Sequence, residues 1–322
     1  MSSYDVVVIG GGAAGLSAAL VLSRARRSVL VVDAGEPRNA PAAHMHGYLS
    51  RDGAPPSELL AAGRQEVEGY GGTIIDATVA DAAVDGAGFQ VALADGRQIA
   101  TRRLLVTTGL RDELPDIPGL RERWARDVLH CPYCHGHEVR DQRLGVLGGT
   151  PAAVRYAQIV RQWTRDLVYF TPPDTLTEVE RTQLLARAIG IVEGGVDRLV
   201  VQDDHLQGVS LSDGRVISLD ALFVPPRFVP HHDLLLGLGC QTDADGWVSV
   251  DLTGRTSVPG AWAAGNVVDP RSQVITAAGA GSAAAIALNA DLVDEDVTHA
   301  VGDFGHGPSH LPTDHPNHQE SS

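Results

Sequence analysis

The chain has 322 residues, 43% of them apolar and 36 of them glycine, which suits a globular protein of about two domains and excludes a disordered or fibrous one. Its formal net charge of −15, with arginine as the only basic residue besides histidine, argues against nucleic acid or an anionic membrane surface as partner. Three cysteines do not make a secreted disulfide framework, and the first apolar run, Val6–Ile9, is too short for a signal peptide, so a cytoplasmic protein is expected.

Asp5-Val-Val-Val-Ile9 predicts a buried parallel strand. Gly10-Gly-Gly-Ala-Ala-Gly15 follows, then a helical stretch to about Arg26 and a second strand, Val29–Val32, closed by Asp33. Gly10, Gly12 and Gly15 fit the GxGxxG spacing: a tight turn, a close approach to a pyrophosphate, and close packing of helix on strand. The helix N-terminus favours the anion, and Asp33 suits a ribose hydroxyl. Strand, glycines, helix and acid fall in the order of a dinucleotide-binding βαβ unit.

Residues 89–93 and 97–100, joined by Asp95-Gly96, read as a hairpin, and Leu104–Gly109 as a further apolar strand. Pro115, Pro118 and Gly119 punctuate a boundary. Beyond it come a strand at 143–147, a helix from about Pro151 to Trp163, and strands at 167–170, 198–202, 206–211 and 215–218. Leu222–Val224 closes this unit before Pro225-Pro226. Short strands resume after Cys240, a strand from Val258 enters a turn at Gly265-Asn266, and an Ala/Gly helix spans about 274–291. Asn289 and Asp291 mark that helix as buried, not membrane-spanning. Cys240, alone in an apolar context, reads as core packing.

Cys131-Pro-Tyr-Cys134, followed by His135-Gly-His137-Glu138, lies in the second unit. Zinc would need a second pair of ligands at matching spacing, and His135 and His137 are too close to serve with both cysteines. An inert pair is the second reading, and a redox disulfide the third. The flavin-type fingerprint at the start of the chain favours the third, because a reversible disulfide beside a flavin implies two-electron exchange. No metal site is expected. His135, next to a redox cysteine, is the candidate for proton transfer, with His137 as the alternative. His44 and His46 are a base, cleft-lining residues or plain loop residues; His231, His232, His306, His310, His315 and His318 read as solvated.

These segments resemble the low-molecular-weight thioredoxin reductase family over about residues 3–295. The matching stretches are Gly10–Gly15, Val106-Thr-Thr-Gly109, the CPYC segment, Ala263-Ala-Gly265-Asn266 and Gln273–Gly281. The resemblance implies an α/β protein of two Rossmann-like dinucleotide-binding domains. An FAD domain, residues 1–115 and 241–300, would carry an inserted, degenerate NAD(P)-type domain, residues 116–240, with the CxxC; residues 301–322 read as a disordered tail. It further implies FAD contacts from Ala13, Ala14, Arg38, Asn39, His46, Thr108, Gly109, Gly265, Asn266, Gln273 and Val274, and a homodimer.

Three departures narrow the reading. Thr150 stands where the second glycine of the second nucleotide turn belongs, and its Cβ would crowd a pyrophosphate. The strand Leu167–Thr171 is followed by Pro172-Pro173, with neither the family's arginine-rich segment nor a closing acid. His135 replaces the acid usual after the second cysteine. In these features the chain is similar to the dithiol oxidases that close disulfides in gliotoxin- and holomycin-type antibiotic biosynthesis. That likeness implies a small-molecule dithiol as substrate and molecular oxygen as acceptor. The alternatives are an NADPH- or ferredoxin-fed reductase of a thioredoxin-like protein, and a flavin-binding redox sensor without turnover.

Overall fold

The computed structural model describes residues 2–150 and 152–306. β1 (Ser2–Ile9) contains the predicted valine run. Val7 and Ile9 enter one hydrophobic core and Val6 and Val8 another, so both faces of the strand are covered. That explains why the run is continuously apolar and does not alternate. α1 (Ala13–Arg24) follows, and β2 (Val29–Asp33) returns parallel to β1. The helix stops short of the expected Arg26, which takes a left-handed φ of 64° beyond its end.

α2 (Pro56–Gly69), β3 (Thr73–Asp76), β4 (Val79–Asp85), β5 (Gly88–Leu93) and β6 (Gln98–Val106) come next in the first sheet and its cover. The strand order is β3-β2-β1-β6-β5-β4. The sequence reading divided β6 into a hairpin arm at 97–100 and a separate strand from 104. It is one strand with two neighbours on one edge: residues 98–101 pair antiparallel with β5, and residues 104–106 pair parallel with the later strand Ala261–Ala263. α2, β3 and β4 carry no clear signal in the sequence, because at least half of each is exposed and apolar periodicity is weak.

The chain leaves this sheet through β7 (Leu110–Glu113) and enters a second, wholly parallel one. Its elements are β8 (Val128–Leu129), α3 (Pro132–His135), β9 (Leu144–Leu147), α4 (Ala153–Val160), β10 (Leu167–Thr171), α5 (Glu178–Ala186) and β11 (Gly190–Glu193). An antiparallel meander of β12 (Val196–Gln202), β13 (His205–Leu211) and β14 (Val216–Ser218) precedes β15 (Ala221–Phe223), which slots between β9 and β8. This unit has cores of its own, one around Tyr169 and Phe223, the other around Phe170 and Leu222.

β16 (Arg227–Pro230) carries the chain back and pairs antiparallel with β7, so the two crossings lie side by side. α6 (Asp233–Gly237) follows. Leu235 and Cys240 pack in the same core as Val7, with Leu234 and Leu238 against it. Residues 233–240, assigned to the inserted unit by sequence, therefore side with the first sheet, and by packing the change of unit falls at β16. Cys240 is buried and unpaired, as expected.

β17 (Ala261–Ala263) leads to α7 (Val274–His306). The expected helix end near 291 and the expected disorder from 301 both give way to helix through 306; residues 307–322 of the predicted tail lie outside the described residues. α7 runs against α1 so closely that a Cβ at Gly281 would sit 2.0 Å from the Ala14 carbonyl oxygen. By length and composition alone α7 could cross a membrane. One face, with Ala284, Leu288 and Leu292, belongs to the core beside α1. Asp291 binds Arg103 (2.6 Å), and Glu295 and Asp296 bind Arg102 (2.6 and 2.5 Å).

Candidate active site

β1 ends in the glycine turn. Gly10 has φ +108°, and a Cβ there would meet the Thr107 carbonyl oxygen at 2.5 Å, so only glycine fits. A Cβ on Gly12 would meet nothing within 4 Å: this residue faces open space. A Cβ on Gly15 would lie 1.9 Å from the Gly10 oxygen; this glycine lets α1 pack under the turn and does not line the site. Asp33 accepts from the Gly11 N–H at 3.1 Å and from Arg64 Nη2 at 2.7 Å, and Arg64 also reaches Asp76 at 2.8 Å. Sequence reasoning missed Arg64, which has no motif around it.

A cavity of about 540 Å³ extends from this turn to the cysteines. The sequence-predicted site residues other than Gly15 and the alternative His137 line it: Gly10, Gly12, Ala13, Ala14 and Asp33 at the turn, Arg38, Asn39 and His46 from the following loop, and Thr108 and Gly109 after β6. Gly265, Asn266, Gln273 and Val274 come from the approach to α7, and Cys131, Cys134 and His135 from the second unit. Arg38 forks onto Asp112 with bonds of 2.8 and 2.6 Å, reaches Asn266 Oδ1 at 3.3 Å, and lies over the Phe228 ring, 5.3 Å from its centre. Asp112 and Phe228 sit on β7 and β16, so this arginine ties the cradle to both crossings. His231, read from sequence as solvated, is exposed and also lines the cavity: its carbonyl accepts from Thr108 Oγ1 at 2.5 Å, and its Nδ1 lies 3.2 Å from the Thr108 oxygen. His232, also read as solvated, is half-buried, and its Nδ1 is buried.

Cys131 and Cys134 form a disulfide. Cys131 caps α3, its sulfur accepting from the Cys134 N–H at 3.1 Å, and Pro132 takes the first helical position, where the missing N–H costs nothing. Gln273 Nε2 approaches Cys134 Sγ at 3.7 Å. Burial pushes the His135 imidazole below its ordinary pKa; the Glu138 carboxylate opposes the shift and His46 adds to it. His46 bridges the units, 3.5 Å from Asp52 and 3.6 Å from Glu138. His137, the alternative proton carrier, is exposed and does not line the cavity.

His130 is the main residue the sequence reading missed. It precedes Cys131, lines the cavity, stacks on Tyr156 (6.5 Å between ring centres) and meets the edge of Phe228 (5.1 Å). Burial pushes its pKa down to about 4, with the Arg38 charge adding to the shift. Its Nδ1 is buried without a hydrogen-bond partner among the described residues. Two imidazoles held neutral beside a disulfide, in a cavity that includes a dinucleotide turn, equip the site for thiol–disulfide exchange.

The second nucleotide turn is built differently. A Cβ at Gly148 would strike the Phe170 carbonyl oxygen at 2.4 Å and the Tyr169 hydroxyl at 2.6 Å. β10 ends in Thr171, bonded to the Thr175 hydroxyl at 2.6 Å, where a nucleotide site would place an acid or an arginine.

Residues 4–282 match the family described as Pyridine nucleotide-disulphide oxidoreductase. The chain is 30% identical to thioredoxin reductase sirT of Leptosphaeria maculans, over 92% of this chain and 96% of that one. Among solved structures it is similar to HlmI, with 56% identity, a TM-score of 0.93, and 94% and 97% of the two chains covered. It is also similar to the putative thioredoxin reductase TrxB from Bacillus anthracis, with 31% identity, a TM-score of 0.87, and 91% and 99% covered.

Proposed function

The chain belongs to the pyridine nucleotide-disulphide oxidoreductase family as a thioredoxin reductase-like enzyme, and from that premise we propose that it is an FAD-dependent dithiol oxidase, closing a disulfide in a small-molecule dithiol with molecular oxygen as final acceptor. The observation that carries this reading is the Cys131–Cys134 disulfide in the wall of the cavity that holds the glycine turn, with His130 and His135 on either side of it in the chain. Both cysteines are half-buried, which suits a small dithiol better than a protein surface. Thr150 and the bare end of β10 favour the oxidative direction over reduction by a nicotinamide.

The turn fits a dinucleotide, because Gly12 leaves a Cβ-free face toward the cavity. Gly10 to Ala14 would hold the FAD pyrophosphate and Asp33 its ribose, while Arg38, Asn39, His46, Thr108, Gly109, Gly265, Asn266 and Val274 line the remainder. When bound, FAD supplies a two-electron acceptor for the reduced cysteine pair, with molecular oxygen taking the electrons onward as hydrogen peroxide.

A neutral imidazole, His130 or His135, takes the proton of the first substrate thiol, since the thiolate is the nucleophile. The thiolate attacks Cys131 Sγ, a mixed disulfide forms, and Cys134 leaves with the electron pair. The second substrate thiolate attacks the substrate sulfur of that bond, releasing the cyclised disulfide and a Cys131 thiolate. Anaerobic mixing of the yellow protein with a small dithiol is expected to bleach the flavin, with colour and peroxide appearing on admission of air; NADPH and NADH are expected to leave it yellow. Rapid bleaching by either nicotinamide would make the protein a reductase. Cys131→Ser and Cys134→Ser are each expected to abolish turnover while FAD stays bound.

The working unit in this proposal is a homodimer. α7 presents Ile286, Val293, Val297, Val301 and Phe304 to solvent at 44–83% exposure, one apolar stripe suited to a second copy.

A further inference from the structure

We infer that Gln273 is a thiolate-stabilising residue that makes Cys134 the leaving sulfur and so directs substrate attack to Cys131. The inference deepens the thiol–disulfide exchange proposed above and rests on it. Each sulfur has a donor, but the two donors differ in origin. Cys131 Sγ is served at 3.1 Å by the backbone N–H of Cys134, which moves with the same short helix. Cys134 Sγ is served at 3.7 Å by Gln273 Nε2, 139 residues away in the chain and on the side of the dinucleotide cradle. The backbone of Gln273 is fixed because its main-chain carbonyl accepts from the Ala277 N–H at 2.8 Å, in the first turn of α7. The 33-residue helix beginning at Val274 turns its positive end toward this position.

When the substrate thiolate bonds to Cys131 Sγ, the Cys131–Cys134 bond breaks and its electron pair stays on Cys134. The substrate sulfur is oxidised to the mixed disulfide and Cys134 is reduced, with no other reactant. Negative charge then sits on the sulfur that the amide N–H faces, and a charge-assisted hydrogen bond replaces a weak neutral one. Because the donor belongs to the other unit, this help exists only while the CxxC segment is docked against the cradle. The acidity of Cys134 is thereby coupled to docking.

The test uses the FAD-loaded protein, reduced without oxygen by dithiothreitol and alkylated with iodoacetamide across a pH series, each cysteine being followed by peptide mass. Gln273→Leu is expected to raise the alkylation midpoint of Cys134 and leave that of Cys131 in place, slowing Cys134 alkylation at neutral pH by about tenfold. Gln273→Asn, which keeps the amide but withdraws it by one methylene, is expected to shift Cys134 the same way. FAD content and melting temperature report whether either variant folds. The wild-type protein alone gives a second measurement: the mixed disulfide trapped with excess glutathione is expected on Cys131. An unchanged Cys134 midpoint in folded Gln273→Leu, or trapping on Cys134, overturns the inference. Alkylation needs neither oxygen nor the natural dithiol, so failure of the oxidase reading shows separately, as absence of dithiol bleaching.

Discussion

His130 shows how much chemistry a single buried side chain can carry. Its folded-state pKa of about 4 lies below the ordinary 6.5, so between those values the unfolded chain binds a proton that the folded chain refuses. The stability tied to it is therefore full above pH 6.5 and is lost as pH falls toward 4, by at most about 3 kcal/mol. His130→Phe is expected to flatten the fall of the urea midpoint across that window; an unaltered slope would mean that the imidazole is free to charge. Cys131, Cys134 and His135 were legible in the sequence because they are contiguous and their spacing is the chemistry. His130 abuts the same motif but gave no signal, because what depresses its pKa is burial against Tyr156 and Phe228 and the charge of Arg38, all distant in the chain. Arg64 escaped for the same reason: it becomes meaningful only when the fold places it on Asp33.

Among the elements, α7 departs most from what its sequence suggests. Its small residues read as a buried helix, yet only one face is buried, and the helix runs beyond the expected end. Two glycines of this helix make opposite demands. A Cβ on Gly281 would enter the Ala14 backbone, 2.0 Å from its oxygen, whereas one on Gly279 meets nothing within 4 Å. Gly281→Ala is expected to force α7 off α1 and cost about 1–3 kcal/mol. Gly279→Ala is expected to stabilise by about 0.5–1 kcal/mol through helix propensity. Thermal melts of the two variants compare these directly, and equal melting temperatures would contradict the close α1–α7 contact. β6 carries a related lesson. Its polar residues Thr101 and Arg103 broke the apolar run into two apparent strands, but Thr101 bonds the Arg103 carbonyl at 2.9 Å and Arg103 binds Asp291 at 2.6 Å, so both are buried with their polar groups satisfied.

For the whole molecule, the stripe on α7 bears on assembly. Val297, 56% exposed near its centre, is a direct probe: Val297→Glu is expected to shift the particle from dimer to monomer in light scattering without loss of FAD. A monomeric wild type would refute the proposed assembly. The sequence by itself determined the two-unit α/β plan, the glycine turn with Asp33, and the close-spaced cysteine pair. Each of these is encoded by neighbours in the chain: a run of valines, a glycine spacing, a CxxC. The tertiary structure alone decided that the return to the first unit comes at β16, because Leu235 and Cys240 find their core across the fold. It alone decided that Arg38 locks onto Asp112 and Phe228, that His231 joins the cavity, and that Gln273 faces Cys134. These contacts join residues 74 to 190 positions apart, and hydrogen bonds, burial and charge act through space, so no local pattern in the chain announces them.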